Sequence, residues 1–392
     1  MRQSAQNDAP VLIIGGGIGG LAAALALRRV GIEAAVFERA PEVQEVGAGL
    51  SLWTNAMLAL RALGVEQEVL ACSAVIERSV VTTREGRRVS ESDIGAASRA
   101  AGAPSVCVHR ANLQRVLADA LGRERIRLDS PCVALEAERG GVVAHFAGER
   151  SARGRLLIGA DGIRSVVRAQ LRGEVAPRYA GYLAWRGIAP MLVPECPPGM
   201  TLLVLGLGAQ FGVFPCGVGQ TYWFAVNNGP AGSLPDRAAW KQEVVRRFAG
   251  WPAPISALLA GTPDQAVLLN DVVDRPPTWP WGNGPVTLLG DAAHPTTPNL
   301  GQGACQALED AVVLADLLRR RGLIPAALRE YEQARRERTA FITRQSWMLG
   351  KVFQCGTPWL ASFRNRLLGV PAFEGQGRAL MDRLLRVTFP PL

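Results

Sequence analysis

The chain has almost no lysine, little histidine and no cysteine motif. Lys241 and Lys351 are its two lysines, so arginine supplies nearly all of the 43 basic side chains that stand against 34 acidic ones, a net charge of +9. The arginines are scattered. The densest run, Arg319-Arg320-Arg321, closes an apolar helical pattern, where cations suit the helix dipole. With no basic stripe and no reader motif, the charge does not point to nucleic acid. A basic surface attracts anionic ligands such as dinucleotides instead. The seven cysteines (72, 107, 132, 196, 216, 305 and 355) are odd in number and form no C-x-x-C pair, and the three histidines are His109, His145 and His294. Neither a disulfide framework nor a zinc site follows from that spacing, and a reducing, cytoplasmic setting is expected. Long apolar runs are missing as well. Val11–Leu27 comes nearest, but glycines interrupt it, no basic segment beyond Arg2 leads it, and it carries no cleavage-like site. Neither a membrane span nor a signal peptide is expected. No internal repeat or low-complexity segment is visible.

What remains is the composition of a globular protein with a sizeable core. Hydrophobic residues make up 48% of the 392 and charged residues 20%, a length that suits two or three domains at ~150 residues each. The richest segment is the first forty residues. Val11-Leu12-Ile13-Ile14 reads as a strand buried on both faces. Gly15-Gly16-Gly17-Ile18-Gly19-Gly20 follows, then a helical pattern from Leu21 to Val30, a closing Gly31, and a second strand, Ala34–Phe37, ending at Glu38. Gly15, Gly17 and Gly20 occupy the G-x-G-x-x-G positions and serve a tight turn, close backbone approach to a diphosphate, and helix–strand packing. Glu38, 23 residues beyond Gly15, can accept ribose hydroxyls. A glycine-rich βα turn alone is weak evidence; strand, helix, second strand and terminal acid in register make it specific.

This motif does not separate NAD from FAD. Two later segments do. Arg155–Ile158 runs into Gly159-Ala160-Asp161-Gly162 and a short helix. Pro285–Leu289 runs into Gly290-Asp291, followed by His294, Pro298, Gly301-Gln302-Gly303 and the helix Ala304–Arg320. An aspartate such as Asp291 can bind a ribityl hydroxyl. The Gly-Gln-Gly turn can aim amides at a flavin's N1–O2 edge, which becomes anionic on reduction.

The three fingerprints, in this order and spacing, resemble those of the group A FAD-dependent monooxygenases, the aromatic hydroxylases of the para-hydroxybenzoate hydroxylase fold. The resemblance extends to about Arg344. Within the family, the run Thr297–Cys305 with Glu309-Asp310 is most similar to the urate hydroxylase-like and salicylate hydroxylase-like branch, with Cys305 where Asn is commoner. It implies cofactor contacts at Gly15, Gly17, Ile18, Gly19, Gly20, Glu38, Arg39, Asp161, Gly290, Asp291, Pro298, Gly301, Gln302, Gly303 and Ala304. The loop Gly47–Ser51, with Gly49 and Ser51 and then Trp53 and Asn55, looks like the family's loop beside the isoalloxazine. Arg110 in His109–Leu113 resembles its flavin-contacting arginine.

The fold so implied is α/β: a Rossmann-like FAD-binding domain with a parallel sheet and a β-meander, a smaller antiparallel-sheet substrate domain, and C-terminal helices. Residues 1–75, 105–176 and 275–345 are expected in the first, 76–104 and 177–274 in the second, and 346–392 in a C-terminal helical segment. The hairpin Ser79–Ser90, the meander Ala134–Phe146, the strands Tyr182–Ile188, Thr201–Leu205, Gln210–Phe214, Thr221–Val226 and Ala266–Val272, and one interrupting helix, Asp236–Phe248, are read from alternation and turn residues. Ile324–Trp347 reads as a second long helix, and the tail Trp359–Val387 as a docked helix in preference to a dimer contact or membrane-surface helix.

By resemblance the activity is hydroxylation of an aromatic or planar heteroaromatic molecule with NAD(P)H and O2, through a flavin C4a-hydroperoxide. The protein is expected to be a monomer or homodimer that binds FAD without a covalent link. No catalytic side chain is assigned, and Tyr222 and Arg186 are the weaker candidates. The substrate pocket is expected at Arg186, Gln210, Phe214, Tyr222 and Phe224, Tyr222 and Phe224 sharing one strand face opposite Trp223. Ordinary sheet packing is the plain alternative for any one of these aromatics. The family's urate-binding arginine aligns with Gln210, which argues against urate. No second G-x-G-x-x-G serves the nicotinamide: Gly206-x-Gly208 has Phe211 where the third glycine belongs. His294 reads as a strand-end structural residue and Cys305 as packing. Trp279-Pro280-Trp281 hints at a halogenase, but Gly282-Asn283-Gly284 follows and a suitably placed lysine is missing. An epoxidase, oxidase or reductase acting on an isoprenoid or polycyclic substrate, and a non-catalytic FAD-binding interaction protein, stay open.

Overall fold

The computed structural model describes residues 8–42, 48–233 and 236–392. The chain opens with β1 (Val11–Ile14), α1 (Ile18–Arg29), β2 (Ala34–Phe37), β3 (Gly49–Leu52), α2 (Thr54–Leu63), α3 (Glu66–Ala71), β4 (Ser73–Thr83), β5 (Arg88–Asp93), α4 (Ile94–Ala101), β6 (Val106–His109), α5 (Arg110–Leu121) and β7 (Ile126–Arg127). Next come β8 (Cys132–Glu138), β9 (Gly141–Phe146), β10 (Arg150–Gly154), β11 (Leu156–Gly159), α6 (Val166–Arg172), β12 (Arg178–Ala189), β13 (Gly199–Leu205), β14 (Ala209–Pro215) and β15 (Thr221–Asn228). It ends with α7 (Trp240–Arg247), α8 (Ile255–Gly261), β16 (Leu268–Asp274), β17 (Val286–Leu288), α9 (Gly303–Arg321), α10 (Pro325–Phe353), α11 (Pro358–Leu368) and α12 (Pro371–Leu385).

Apolar runs without alternation become the inner strands of a parallel five-stranded sheet, ordered β17-β11-β1-β2-β7. Val11, Leu12, Ile13, Leu156, Leu157 and Ile158 are all fully buried there. Helices α1 and α9, rich in alanine and leucine, fill the layer over the sheet in one core with α2, α5 and Tyr331 of α10. Strands β10-β9-β8 form an antiparallel meander against that core.

The second sheet has nine strands, ordered β16-β12-β15-β14-β13-β4-β6-β3 with β5 on β4. It is larger than the sheet expected for the substrate side because β3 and β6, assigned by sequence to the FAD-binding part, pair with each other, and β6 also pairs with the start of β4. The boundary at 75/76 therefore falls inside β4. One pair, β4 with β13, is parallel. Behind this sheet lies a second core of Trp185, Phe211, Trp223, Phe248 and Trp251.

Two expectations for helices need correction. A 3-10 turn, Arg237–Ala239, precedes α7, and α8 adds a second helix to the stretch. Helix α8 is seven residues long, too short for a clear period, and is held by burial of Ile255, Leu258 and Leu259. The boundary at 346 falls inside α10, which continues because Thr343, Ser346 and Gly350 stay buried against the body. No helix among the described residues is long and apolar enough to cross a membrane.

Candidate active site

Three glycine turns meet at the carboxyl ends of β1, β11 and β17. A Cβ on Gly15 would lie 2.4 Å from the Ala160 carbonyl oxygen, and one on Gly20 only 1.9 Å from that of Gly15. The first turn is thus pressed against the second, and α1 onto its own turn. A Cβ on Gly19 would meet Leu289 at 2.8 Å, and one on Gly303 would stand 3.9 Å from Asp291 Oδ1, which brings in the third segment. Among the described residues, a Cβ on Gly17 would meet no atom within 4 Å beyond its chain neighbours. Gly17 is also the N-cap of α1, without a side-chain cap or an acid in the first turn. Among the described residues the positive end of α1 is left uncapped, a geometry that suits an anion.

The acids and bases around this space are held in place. Glu38 ends β2 with Oε2 accepting from the Gly16 amide (2.6 Å) and Oε1 from the Ala40 amide (2.9 Å). Gln114 Nε2 donates to the Gly16 carbonyl at 3.0 Å, while Arg39 points into solvent. Asp291 keeps an accessible side chain amid dense packing, in the bend that follows β17. Burial raises its carboxyl pKa against the opposing pull of His294 and Arg110. Arg110, at the first position of α5, is lowered by burial and by Arg186, while Asp291 and Glu38 pull the other way. Glu38, Arg110, Asp291 and Arg186 therefore share one electrostatic neighbourhood. Asp161 uses both carboxylate oxygens within the second turn. Its Oδ1 accepts from Ser165 Oγ (2.5 Å) and its Oδ2 from the amides of Val166 (2.7 Å) and Val167 (3.3 Å). It shapes the second turn by capping α6, and the capping bonds oppose the upward push of burial on its pKa.

Strand register puts Arg186, Phe224, Tyr222 and Phe214 on one face of the large sheet: Arg186 is opposite Phe224, and Tyr222 lies between Ile188 and Phe214. The three rings sit 5.8–6.3 Å apart. Tyr222 closes down on β3, where a Cβ on Gly49 would fall 2.3 Å from its ring. Burial pushes the Tyr222 hydroxyl up, against the pull of Arg186. Arg186 Nη2 donates to Asn270 Oδ1 at 2.5 Å. Trp223 faces the rear core, its Nε1 donating to Thr262 Oγ1 at 2.8 Å. Gln210 shares the forward face but gives its amide to Gln354 Oε1 at 3.1 Å, away from the aromatic group. Gly206–Gly208 is only the loop between β13 and β14.

Strand β3 also locks the late turn. Trp53 Nε1 donates to the Leu300 carbonyl at 3.0 Å, and the Cys305 thiol faces the Ser51 and Gly301 carbonyls. Burial pushes that thiol up to about 12, which fits packing. Gly49 and Ser51 lie in β3 beside Pro298–Gly301, with Gln302 capping α9 and Ala304 in its first turn. Gly47 falls outside the described residues.

Beneath the turns lies a buried polar network in which Gln306, Arg335 and Arg338 were not singled out by sequence reasoning. Glu309 and Asp310, adjacent on α9 and fully buried, meet Arg335 of α10 at 2.6 and 2.7 Å. Arg338 also pairs with Glu309, at 2.7 Å. Asp310 Oδ2 accepts from the Gly290 amide (3.0 Å) and contacts His294 Nε2 (2.6 Å). Burial alone would raise Asp310, but His294 and Arg335 outweigh it and hold the carboxyl at about 2. Asn55 Nδ2 joins Glu309 (2.6 Å) to Gln302 (2.9 Å). The sequence signal for Arg335 was only its place in the long helix read over Ile324–Trp347.

A family model described as an FAD binding domain matches residues 8–197 and 271–346. The chain is 43% identical over 358 residues to the aurachin C monooxygenase/isomerase of Stigmatella aurantiaca, covering 91% of this chain and 93% of that protein. It is 35% identical over 329 residues to an FAD-dependent urate hydroxylase of Klebsiella pneumoniae, covering 83% and 86%. The structure of Klebsiella pneumoniae HpxO complexed with FAD and uric acid superposes with a TM-score of 0.90 at 31% identity, covering 96% of each chain.

Proposed function

The chain belongs to the family of FAD-dependent monooxygenases built on this FAD binding domain, and from that premise we propose that it hydroxylates an aromatic or planar heteroaromatic small molecule with NAD(P)H and O2. The observation that carries the reading is the convergence of three glycine turns beneath one aromatic sheet face.

The residues present fit FAD. The clear side of Gly17 and the uncapped end of α1, with Ile18, Gly19 and Gly20, suit its diphosphate. Glu38 keeps lone pairs for ribose hydroxyls, and Asp291 offers an accessible carboxylate to a ribityl chain. The amides after Gly301 suit the edge that turns anionic on reduction, with Arg110 nearby. Asp161 contributes by holding the second turn. FAD, when bound, accepts hydride from NAD(P)H and activates dioxygen. The chain's own work is to orient and to keep dry. Phe214, Tyr222 and Phe224 present a flat apolar wall, and Arg186 stands at its edge as a cation for a substrate oxygen. Phe214, Tyr222 and Phe224 fall in 198–270, outside the matched FAD-binding segments, where substrate choice would be set, while Arg186 lies within the first of those segments. Gln210, tied to Gln354, offers no cation there, which disfavours urate.

The test is a screen of aromatic compounds for stimulated NAD(P)H oxidation, with 18O2 traced into product. Incorporation at a ring carbon supports the proposal, and incorporation as an epoxide of an isoprenoid supports the epoxidase reading. A flavin that NAD(P)H never bleaches anaerobically, whatever aromatic is present, overturns the catalytic reading.

A further inference from the structure

We propose that Arg335 is a positioning residue that fixes both cofactor-facing turns of the late segment through a single guanidinium. The inference rests on the reading that FAD lies against those turns. Arg335 is 4% exposed and donates from all three nitrogens: Nε to Asp310 Oδ1 at 2.7 Å, Nη1 to Glu309 Oε2 at 2.6 Å and Nη2 to Gln306 Oε1 at 2.7 Å. Each carboxylate then reaches a different turn with its second oxygen. Asp310 Oδ2 takes the Gly290 amide at 3.0 Å and meets His294 Nε2 at 2.6 Å, which sets the bend carrying Asp291. Glu309 Oε1 takes Asn55 Nδ2 at 2.6 Å and Gln306 Nε2 at 2.9 Å, and both of those amides also hold Gln302 Oε1, at 2.9 Å each. That second arm sets the Gln302–Gly303 corner.

Two adjacent buried carboxylates repel and are costly to desolvate unless a cation lies between them. A planar fork can span both and still reach Gln306, whereas the point charge of lysine cannot. Arg338 is the built-in contrast. It bonds both Glu309 oxygens and the carbonyls of Arg383 (2.9 Å) and Leu384 (2.7 Å), so it touches one arm only.

The arms predict separable effects. Asp310→Asn loosens the Asp291 bend and weakens FAD binding to the apoprotein about tenfold, with little change in flavin midpoint potential. Glu309→Gln and Arg338→Met loosen the Gln302 corner. They lower the potential by about 30 mV, a tenfold loss of preference for the reduced two-electron form, with affinity nearly unchanged. Arg335→Met shows both effects, and Arg335→Lys does not restore them. Affinity is read by flavin fluorescence, potential by photoreduction against a reference dye, and folding by circular dichroism. A folded Arg335→Met protein with wild-type affinity and potential overturns the proposal. If that variant does not fold, equal changes of both quantities in Asp310→Asn and Glu309→Gln overturn it. Wild-type protein that takes up no FAD removes the cofactor reading itself, and the proposal with it.

Discussion

Tyr222 and Gly49 offer a direct test of whether the large sheet closes onto the cofactor side. Gly49 lies in β3 and Tyr222 in β15, and a Cβ on Gly49 would meet Tyr222 Cγ at 2.3 Å, Cβ at 2.5 Å and Cδ1 at 2.6 Å. Carbon atoms pack at about 3.5–4.0 Å, so Gly49→Ala demands a shift of more than ~1 Å. Neither backbone yields readily, because Gly49 pairs with His109 and Tyr222 is hydrogen-bonded into the middle of its sheet. Overpacking of this kind costs about 1–3 kcal/mol. Tyr222→Gly removes all three of these atoms at a cost of roughly 4 kcal/mol, about 3 for the buried aromatic and about 1 for glycine within a strand. In the double variant the clash is gone, so its loss of stability falls short of the sum of the singles by the same 1–3 kcal/mol. Urea unfolding of the four proteins measures this coupling. Additivity within about 0.5 kcal/mol would refute the close approach. Gly49→Ala should also raise the KM for the stimulating aromatic.

The Asp310 carboxyl supplies a pH signature. It is held at about 2 against an ordinary value near ~3.9, so its stabilisation is complete above about pH 4 and disappears as pH falls towards 2, a loss of roughly 2 kcal/mol. Urea midpoints at pH 6 and pH 3 should fall less in Asp310→Asn than in wild type, and equal falls would count against it. Glu38→Ala deletes a charge-assisted bond of 2.6 Å to the Gly16 amide and is expected to weaken FAD binding by about tenfold to a hundredfold, read by fluorescence titration. Cys305, buried with its thiol pushed up to about 12, should resist iodoacetamide at pH 8 in the native protein and react once it is unfolded.

The sequence by itself determined what is local. Val11–Ile14, the glycine turn, α1 and the strand ending at Glu38 follow from short-range rules of burial, turn geometry and helix period, and the structure reproduces them nearly residue for residue. Alternation on β12 and β15 likewise set which side chains share a face, because period two is a property of any strand. Only the tertiary structure decided what each face or turn meets. Asp161 spends its carboxylate on α6, Gln210 reaches Gln354, 144 residues further along, and β3 and β6 leave the parallel-sheet part for the larger sheet. The Arg335 network is the extreme case. Its members come from α2, the Gly290 bend, α9 and α10; Asn55, Glu309 and Asp310 stood out only as parts of a resemblance, and Arg335 reads as an ordinary helix residue. Burial supplies the reason. A charge on a helix pattern is solvated unless another chain segment covers it, and no short-range pattern records which segment that will be.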